Sequence, residues 1–408
     1  MYRHATIIAG LEIGTSKICV AVGELGAEGA VTILGVGQSP SRGVRKGEII
    51  NPAEVEAAVR TAVAEAEQMA DVELSSVYLG VTGDHIKSLN NRGLHRVMAA
   101  GNEIFPEDVA DVLQNAKAIN LPPENSVIHS IRQHFLVDGQ GEVTDPVGMH
   151  GMQLAVDLHV IHGNTNRLQN AIRLVRATSL QVNEIVFNGL ASSLALLTPE
   201  QKELGALVID LGGGTTEYAV HHEGIIRHSG VLALGGDHVA YDLAYGFKVS
   251  QRCAEKLKRD HGSAIVTESA RGRTLSLTDD HGLEIKRVNA ELLQLIMALR
   301  LEEIFEIIAE ELAQAGWLER LRAGVFLCGG GAHVPNIVAL AEKIFQTKVA
   351  VGHAGAVSGL TTALNQPEFA VAIGLVKYSA LRHHQPAPRP TLWTKFRDLI
   401  RHLIASVR

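Results

Sequence analysis

Cysteine is scarce: Cys19, Cys253 and Cys328 are the only three in a chain of 408 residues. They are odd in number, far apart and form no CxxC, which excludes a disulfide framework and a cysteine zinc site and fits a reducing cytoplasm. Aromatics make up only 4% and charged residues 20%, against 46% hydrophobic residues. That balance excludes a disordered chain and allows sizeable cores. Positive charge is not in excess: 37 basic and 44 acidic residues give −7, so the chain is no general nucleic-acid binder. No apolar run approaches the roughly 18–20 residues needed to span a bilayer. The apolar stretch 5–13 carries Glu12 and ends in Gly14-Thr15-Ser16, so it reads as a strand, and no signal peptide is expected. Histidine is plentiful, at 19, but no HExxH occurs. The pairs His221-His222 and His383-His384 stand beside turns or prolines and read as solvated surface.

What is present is an alternation of strand and helix signals, which points to an α/β architecture of two or three domains. Segments 5–13 and 18–22 read as a hairpin. Pro52 opens a helix to residue 70, and 76–81 is an apolar strand. From about 84 to 160 the character changes to short alternating stretches with one helix at 106–118, the pattern of a small α+β insertion. Helix 165–177, strand 182–187 and helix 189–197 return to the main pattern. Strand 206–211 opens the second half. Leu292, Leu293, Ile296, Leu299, Ile304, Ile307 and Ile308 mark a long helix over 289–314. Strand 324–328 and helices 335–345 and 369–380 complete the body.

An imperfect internal repeat stands out. Leu11-Glu12-Ile13-Gly14-Thr15-Ser16 is echoed by Ile209-Asp210-Leu211-Gly212-Gly213-Gly214-Thr215-Thr216, the two acids lying 198 positions apart (210 − 12). Each reads as a buried strand, an acid, glycines, a hydroxyl residue and a second strand. Bare glycine turns let backbone N–H groups converge on phosphate oxygens, hydroxyls add donors, and an acid one step back suits a hydrated Mg²⁺. Either hairpin alone is also what an ordinary glycine turn looks like. A third element joins them: strand Val325-Phe326-Leu327-Cys328 runs into Gly329-Gly330-Gly331, with Pro335 opening a helix. Competing phosphate motifs fail, since GxxxxGK[ST] is absent and Glu217 and Val334 spoil both GxGxxG frames.

The C-terminus reads separately. Three of the twelve prolines fall within 383–390, a semi-rigid spacer. Beyond it Leu392, Trp393, Phe396, Leu399, Ile400, Leu403, Ile404 and Val407 form one helical stripe. Lys395, Arg397, Arg401 and Arg408 against Asp398 give this segment +3. An 18-residue helix is about 27 Å long. Its central charges disfavour spanning, whereas an interfacial position on an anionic membrane suits both faces. A terminal helix packed on the body is the bland alternative, and the spacer argues against it.

The three glycine turns, in this order, resemble the two phosphate motifs and the adenosine motif of the actin, heat-shock and hexokinase ATPase superfamily. Leu234-Gly235-Gly236-Asp237 resembles a turn of the heat-shock ATPases, and Asp237 also suits a helix N-cap. Glu255 and Lys258 resemble the adenosine-contacting pair, though charges at i and i+3 also pair on surfaces. Within the superfamily, Gly10 to Thr15, Asp145-Pro146-Val147-Gly148, Gly189-Leu190-Ala191-Ser192-Ser193, Leu234 to Val239 and Arg300 to Leu312 look like FtsA, the actin-like bacterial cell-division family, along essentially the whole chain.

That resemblance implies an actin-like ATPase fold, two halves around a nucleotide cleft. It implies subdomain 1A from 1–83 with 161–190, inserted subdomain 1C at 84–160, 2A from 191–227 with 316–381, and 2B at 228–315. A linker at 382–390 and an amphipathic membrane helix at 391–408 would follow. ATP would meet Gly14, Thr15, Ser16 and Lys17 from one half and Gly212, Gly213, Gly214, Thr215 and Thr216 from the other. Gly329, Gly330 and Gly331, with Glu255 and Lys258, would frame the adenosine, and Glu12 and Asp210 would approach Mg²⁺ through water. Acids at 12 and 217 are usually Asp in the superfamily, so at most a slow ATPase is expected. The implied role is to tether polymers of the tubulin-like FtsZ to the cytoplasmic face of the inner membrane at the division site. The FtsZ C-terminal peptide would dock near Arg300 and Glu303. Self-polymerisation and recruitment of later division proteins would follow. A small-molecule kinase of the same fold and a PilM-like pilus-assembly scaffold are the alternatives, and neither accounts for the basic terminal helix.

Overall fold

The computed structural model describes residues 6–26, 29–99, 101–278, 284–355 and 357–384. The expected membrane helix at 391–408, and the spacer from 385, lie outside the described residues.

β1 (Thr6–Ile13) and β2 (Lys17–Leu25) form the expected hairpin, and β3 (Val31–Pro40) extends it. Ile18, Val20 and Val22 belong to one core and Cys19 and Ala21 to another. Both faces of β2 are covered, so its sequence is a continuous apolar run without alternation. A short hairpin, β4 (Val44–Arg45) and β5 (Glu48–Ile49), leads to α1 (Pro52–Ala70). Pro52 opens α1, Val55, Val59, Ala62 and Ala66 line its buried stripe, and Asp71 ends it in the left-handed region at φ 53°. β6 (Ser76–Val81) then pairs in parallel with β1.

The insertion is a separate unit. β7 (Lys87–Arg96), α2 (Pro106–Lys117), β8 (Asn125–Val137), β9 (Gln140–Val143) and β10 (Gln153–Asn164) make a four-stranded sheet in the order β7-β10-β8-β9. Val112, Phe135, Leu154 and Leu158 fill its own small core. The chain returns through α3 (Thr165–Ala177) and β11 (Gln181–Phe187), which pairs with β6.

α4 (Asn188–Leu196) and α5 (Pro199–Leu204) lead to β12 (Ala206–Leu211), β13 (Thr216–His222) and β14 (Ile225–Leu232). α6 (Gly236–Phe247), α7 (Gln251–His261), the hairpin β15 (Thr274–Thr278) and β16 (Glu284–Asn289), and α8 (Ala290–Gln314) follow. β17 (Gly324–Cys328), α9 (Ile337–Phe345) and β18 (Val349–Val351) complete a second sheet ordered β14-β13-β12-β17-β18. β19 (Ser358–Gly359), α10 (Thr361–Leu364) and α11 (Ala370–His384) end the described chain.

Several expected boundaries move. α4 is continuous across 190–191, and β14 is continuous across 228, although its register with β13 shifts at Arg227. Residues 358–381, expected with 2A, return to the first half: β19 pairs with β3 and α11 packs over β1 and β2. α11 also runs through the expected linker start at 382, where Arg382 is held on Glu184 at 3.0 Å. The helix expected from Pro335 begins at Ile337, because the glycine run makes a 3-10 turn, Gly330–His333, first. His221 is buried, its Nε2 bonded to Ser193 Oγ at 2.8 Å, and is not a surface residue. Along α8 the inward stripe is Leu293, Met297, Leu301, Ile304, Phe305 and Ile308, while Leu292 and Leu299 face outward.

The two halves share a core. α4 and α11 lie between the sheets, and Ile8, Cys19 and Ala21 of the first join Ala206, Val208 and Cys328 of the second in one apolar cluster with them. The helices cross so closely that a Cβ on Gly374 would sit 1.8 Å from the Ala191 carbonyl oxygen, so the crossing requires glycine.

The insertion makes a second link between halves. Side chains replace a strand along β14: Ser88 Oγ donates to the Ser229 carbonyl at 2.6 Å, Asn90 Nδ2 to that of Arg227 at 3.1 Å, and Gln133 Nε2 to that of Ile226 at 3.0 Å. His159 bridges Asn90 Oδ1 at 2.7 Å and Ser229 Oγ at 2.8 Å. Arg227 reaches back to Glu142 at 3.6 Å and is also paired with Glu223. Gln133 is only 7% exposed, so Gln133→Leu strands a buried carbonyl and is expected to cost about 1–3 kcal/mol. Urea unfolding measures that loss, and hydrogen exchange should show it first in β14 and β8.

Candidate functional site

The two hairpins of the repeat are built alike. Gly14 N donates to the Lys17 carbonyl at 3.0 Å, and Gly212 N donates to the Thr215 carbonyl at 3.0 Å. The separation of Glu12 from Asp210 recurs between Gly14 and Gly212 and between Lys17 and Thr215. Each hairpin ends a strand that is central in its sheet, so the acids sit on rigid backbone. The hairpins face one another across a cavity of about 450 Å³ lined by both halves.

At one end of the cavity three carboxylates from two halves converge. Glu12 ends β1, while Asp210 and Glu217 face each other across the β12–β13 ladder. Asp210 and Glu217 are 6% and 3% exposed. Burial pushes Glu12 up to about 7, with Asp210 adding to the rise and Lys17 opposing it. Burial and the neighbouring Glu217 push Asp210 up to about 8, and Lys17 opposes this rise as well. Glu217 is raised to about 7, chiefly by burial, although hydrogen bonds from Thr82 and Thr215 favour its ionised form. Thr82 Oγ1 donates to Glu217 across the cleft, and Lys17 Nζ donates to the Glu368 carbonyl. Glu12 Oε2 is buried without a hydrogen-bond partner. Acidic oxygens already held near neutrality, one of them unpartnered, suit a hard divalent cation and its waters.

Apolar side chains and bare backbone line the rest of the cavity. Gly329, Gly330 and Gly331, Val334 and Pro335 form one wall, and Met297 and Leu301 of α8 another. Gly329 has φ 78°, and a Cβ there would lie 2.3 Å from Asp210 Oδ1, so glycine is required where the wall meets the acids. A Cβ on Gly330 would meet nothing within 4 Å, which leaves its backbone open to the cavity. Glu255 and Lys258 stand at the rim, paired at 2.6 Å, and Lys258 Nζ donates to the Gly236 carbonyl at 2.9 Å. The pair is thus an ion pair that also lines the cavity.

Of the expected residues, Glu12, Gly14, Thr15, Ser16, Lys17, Asp210, Gly212, Gly213, Thr215, Glu255, Lys258, Gly329, Gly330 and Gly331 line this cavity. Gly214 and Thr216 do not. Gly214 is pressed against Thr15 Oγ1 and the Lys46 backbone, and Thr216 is buried and donates to the Leu234 carbonyl at 2.8 Å. Asp237 lines the cavity from the first turn of α6, where Gly235 takes the N-cap position. Thr82 and Asn188 were not foreseen; their only signal was their place just after an apolar strand. Arg300 and Glu303 lie elsewhere, on α8. Arg300 is bidentate on Asp242 of α6 at 2.6 and 3.1 Å and is also paired with Glu303.

Residues 207–374 match the family model of cell division protein FtsA, and residues 83–162 match that of the SHS2 domain inserted in it. The chain is 34% identical to cell division protein FtsA of Pseudomonas aeruginosa over 376 residues, covering 92% of this chain and 90% of that one. It is also 34% identical to the Escherichia coli K12 protein of the same name over 384 residues, covering 92% and 91%. Among solved structures, the PilM-PilN type IV pilus biogenesis complex aligns with TM-score 0.64 at 17% identity, covering 93% of this chain and 99% of that one. ADP-bound MreB5 of Spiroplasma citri aligns with TM-score 0.56 at 14% identity, covering 93% and 99%. The structural likenesses establish a shared actin-like fold.

The raised acids set a pH dependence. Above about pH 6.5 the folded chain keeps protons that unfolded carboxylates have released, so stability falls as pH rises toward 8.5. The acids act in the same direction down to the ordinary carboxylate range, and below about pH 6.5 His129, held at about 4, and His159 and His221, held at about 3, offset them, because there only the unfolded chain protonates these imidazoles. Melts of the nucleotide-free chain are expected to peak on the acid side of neutrality and fall from about pH 6.5 to 8.5, and Asp210→Asn to raise Tm at pH 8.5 and flatten the alkaline limb. A limb that rises with pH would contradict this assignment.

Proposed function

The chain belongs to the FtsA family of cell-division proteins, and from that membership we propose that it is an ATP-binding, actin-like adaptor that holds FtsZ polymers at the cytoplasmic face of the inner membrane. The observation that carries the nucleotide half of this reading is the cavity between the halves, with glycine turns at both ends and three acids at one, of which Asp210 and Glu217 are buried. Gly14 to Lys17 and Gly212, Gly213 and Thr215 would hold the phosphates, and the Gly329–Gly331 wall would take the adenosine. Glu12 and Asp210 would hold Mg²⁺ through water, with Glu217 beside them. The cation would supply the positive charge that lets phosphates and carboxylates share one dry end. Glu217 is tied to Thr82 across the cleft, and an acid so engaged fits slow turnover, or a nucleotide switch for polymerisation, better than fast hydrolysis.

For the FtsZ C-terminal peptide, α6 and α8 offer a surface around Arg300 and Glu303. Tyr241 and Tyr245 of α6 are 49% and 89% exposed, and Leu292, Leu295 and Leu299 of α8 are 42–57% exposed. An extended acidic-apolar peptide could use the aromatic and aliphatic side chains as anchors and the charges for register. Arg300 is already engaged by Asp242, so its part would be to hold this surface as much as to touch the peptide.

The terminal segment 391–408 supplies the membrane contact in this reading. Leu392, Trp393, Phe396, Leu399, Ile400, Leu403 and Ile404 would enter the interface, with Lys395, Arg397 and Arg401 at anionic headgroups. Self-assembly would multiply such weak anchors into firm, reversible attachment, and the assembled surface would recruit later division proteins.

Flotation of FtsZ with anionic liposomes, ATP and either the full chain or a chain ending at His384 tests the tether. FtsZ is expected to float only with the full chain. If the full chain floats and leaves FtsZ behind, the partner assignment fails; if neither form floats, the membrane role fails.

A further inference from the structure

Among the described residues, one cluster of metal-ligating side chains stands where the insertion meets the second half. His134 of β8 and Glu142 of β9 come from the insertion, and Glu223 from the turn between β13 and β14. One ligand atom of each lies within 4.8 Å of one from both others. None of the three lines the cavity. Gln133, next to His134, ties the two sides together through the Ile226 carbonyl, so the fold itself brings these donors together.

The local backbone aims them. Glu223 and Gly224 make the two-residue turn between His222 and Ile225, and Glu223 is held in the left-handed region at φ 55°, where a long acid is uncommon. Arg227 is the residue left unpaired where the β13–β14 register shifts, and such a bulge re-aims a side chain. Its Nη2 is paired with Glu223, donates to His134 Nδ1 at 3.1 Å and stands 3.6 Å from Glu142. One guanidinium nitrogen thus fills the place where the three donors converge. Because His134 Nδ1 accepts from it, that lone pair faces the same point.

A fourth donor stands beside them. Among the described residues His222 Nδ1 is buried without a hydrogen-bond partner, 3.4 Å from Glu223 Oε2. His134 Nδ1 lies at the same 3.4 Å from Glu142 Oε2. Donors about 2.0–2.1 Å from a tetrahedral ion stand about 3.4 Å from one another, so both separations have the length of a tetrahedral edge. Two imidazoles and two carboxylates suit a borderline divalent ion of the zinc type, whereas Mg²⁺ and Ca²⁺ prefer oxygens alone. The charge of both carboxylates is cancelled by a divalent ion and only half cancelled by one guanidinium.

We propose that His134, Glu142, His222 and Glu223 form a site for a zinc-type divalent ion, with Arg227 as its resident competitor. The bound ion pins the insertion to the β13–β14 hairpin with two ligands from each side. Glu142, whose side chain is 52% exposed, opens the site to solvent, which gives the ion a way in and the displaced guanidinium a way out. This inference is independent of what the cavity binds.

The test titrates Zn²⁺ into the full chain by calorimetry, in excess Mg²⁺ to compete at oxygen-only sites. One equivalent is expected to bind. Glu142→Gln, at an exposed position, and His134→Ala should each weaken it by more than the roughly 10–100-fold that outer partners of a metal cost. Arg227→Met should tighten it about tenfold, because the ion no longer displaces a charge-assisted hydrogen bond. In hydrogen exchange, Zn²⁺ should protect residues 140–143 and 222–227 together. An affinity unchanged in both ligand variants would put the ion elsewhere and overturn the proposal. So would a wild-type chain and an Arg227→Met chain that both bind none. Weaker binding by Arg227→Met would overturn the competitor role, and protection on one side only would overturn the bridge. If Arg227→Met does not fold, Glu142→Gln decides the matter.

Discussion

Everything around the cavity answers to one electrostatic constraint, the meeting of Glu12 with the buried Asp210 and Glu217 at one end of it. Moving one carboxylate out of water is costly, and a second and third nearby raise the cost again. The fold meets it with partial remedies. Lys17 lies close enough to oppose the rise on Glu12 and Asp210, and Thr82 donates to Glu217 from the opposite half. None of these neutralises the group, and the acids remain poised near neutrality. Such a set of oxygens suits a hard divalent cation.

The architecture delivers these acids by repetition. Two hairpins with the same turn bond are presented at the same ends of two sheets, and α4 and α11 set the spacing between them as a shared apolar layer. Because that layer is continuous with both sheets, a change in one hairpin's position is resisted by packing on both sides. The insertion adds polar links at the outer strand, so the second half is held at its inner face by hydrocarbon and at β14 by hydrogen bonds. The first kind of contact tolerates small sliding; the second favours one register.

Much of this was legible in sequence because it is local chemistry. A strand, an acid and a glycine turn are adjacent in the chain, so the two glycine hairpins, the Gly329–Gly331 wall and the insertion could all be read directly. What escaped came from distant segments or from ambiguous periodicity. Thr82 follows Gly14 by 68 positions (82 − 14) and Asn188 precedes Gly212 by 24 (212 − 188), each just beyond a strand that belongs to neither hairpin, and no spacing announces that. Thr216 looked like a phosphate ligand because it follows Thr215, yet strand alternation turns it away to Leu234. α8 is apolar on more than one side, so its sequence did not tell Leu293, which is buried, from Leu299, which is not. α11 was assigned to the nearer half in sequence, but the small residues Gly10 and Gly23 leave room for Leu375 and Val376 over the first sheet.

The order of the chain gives the insertion a role in time as well as in space. Residues 87–164 form its sheet, whereas β14, whose edge it covers, begins at Ile225. At bacterial or eukaryotic synthesis rates of 5–20 residues per second, the cap precedes the strand by roughly 3–12 s. A compact unit with its own core can form in that interval, so β14 would emerge beside a ready set of donors for its carbonyls. The nascent second sheet would then never present that edge bare to a neighbouring ribosome's product, and the insertion would act as a template in cis for the half of the molecule that follows it.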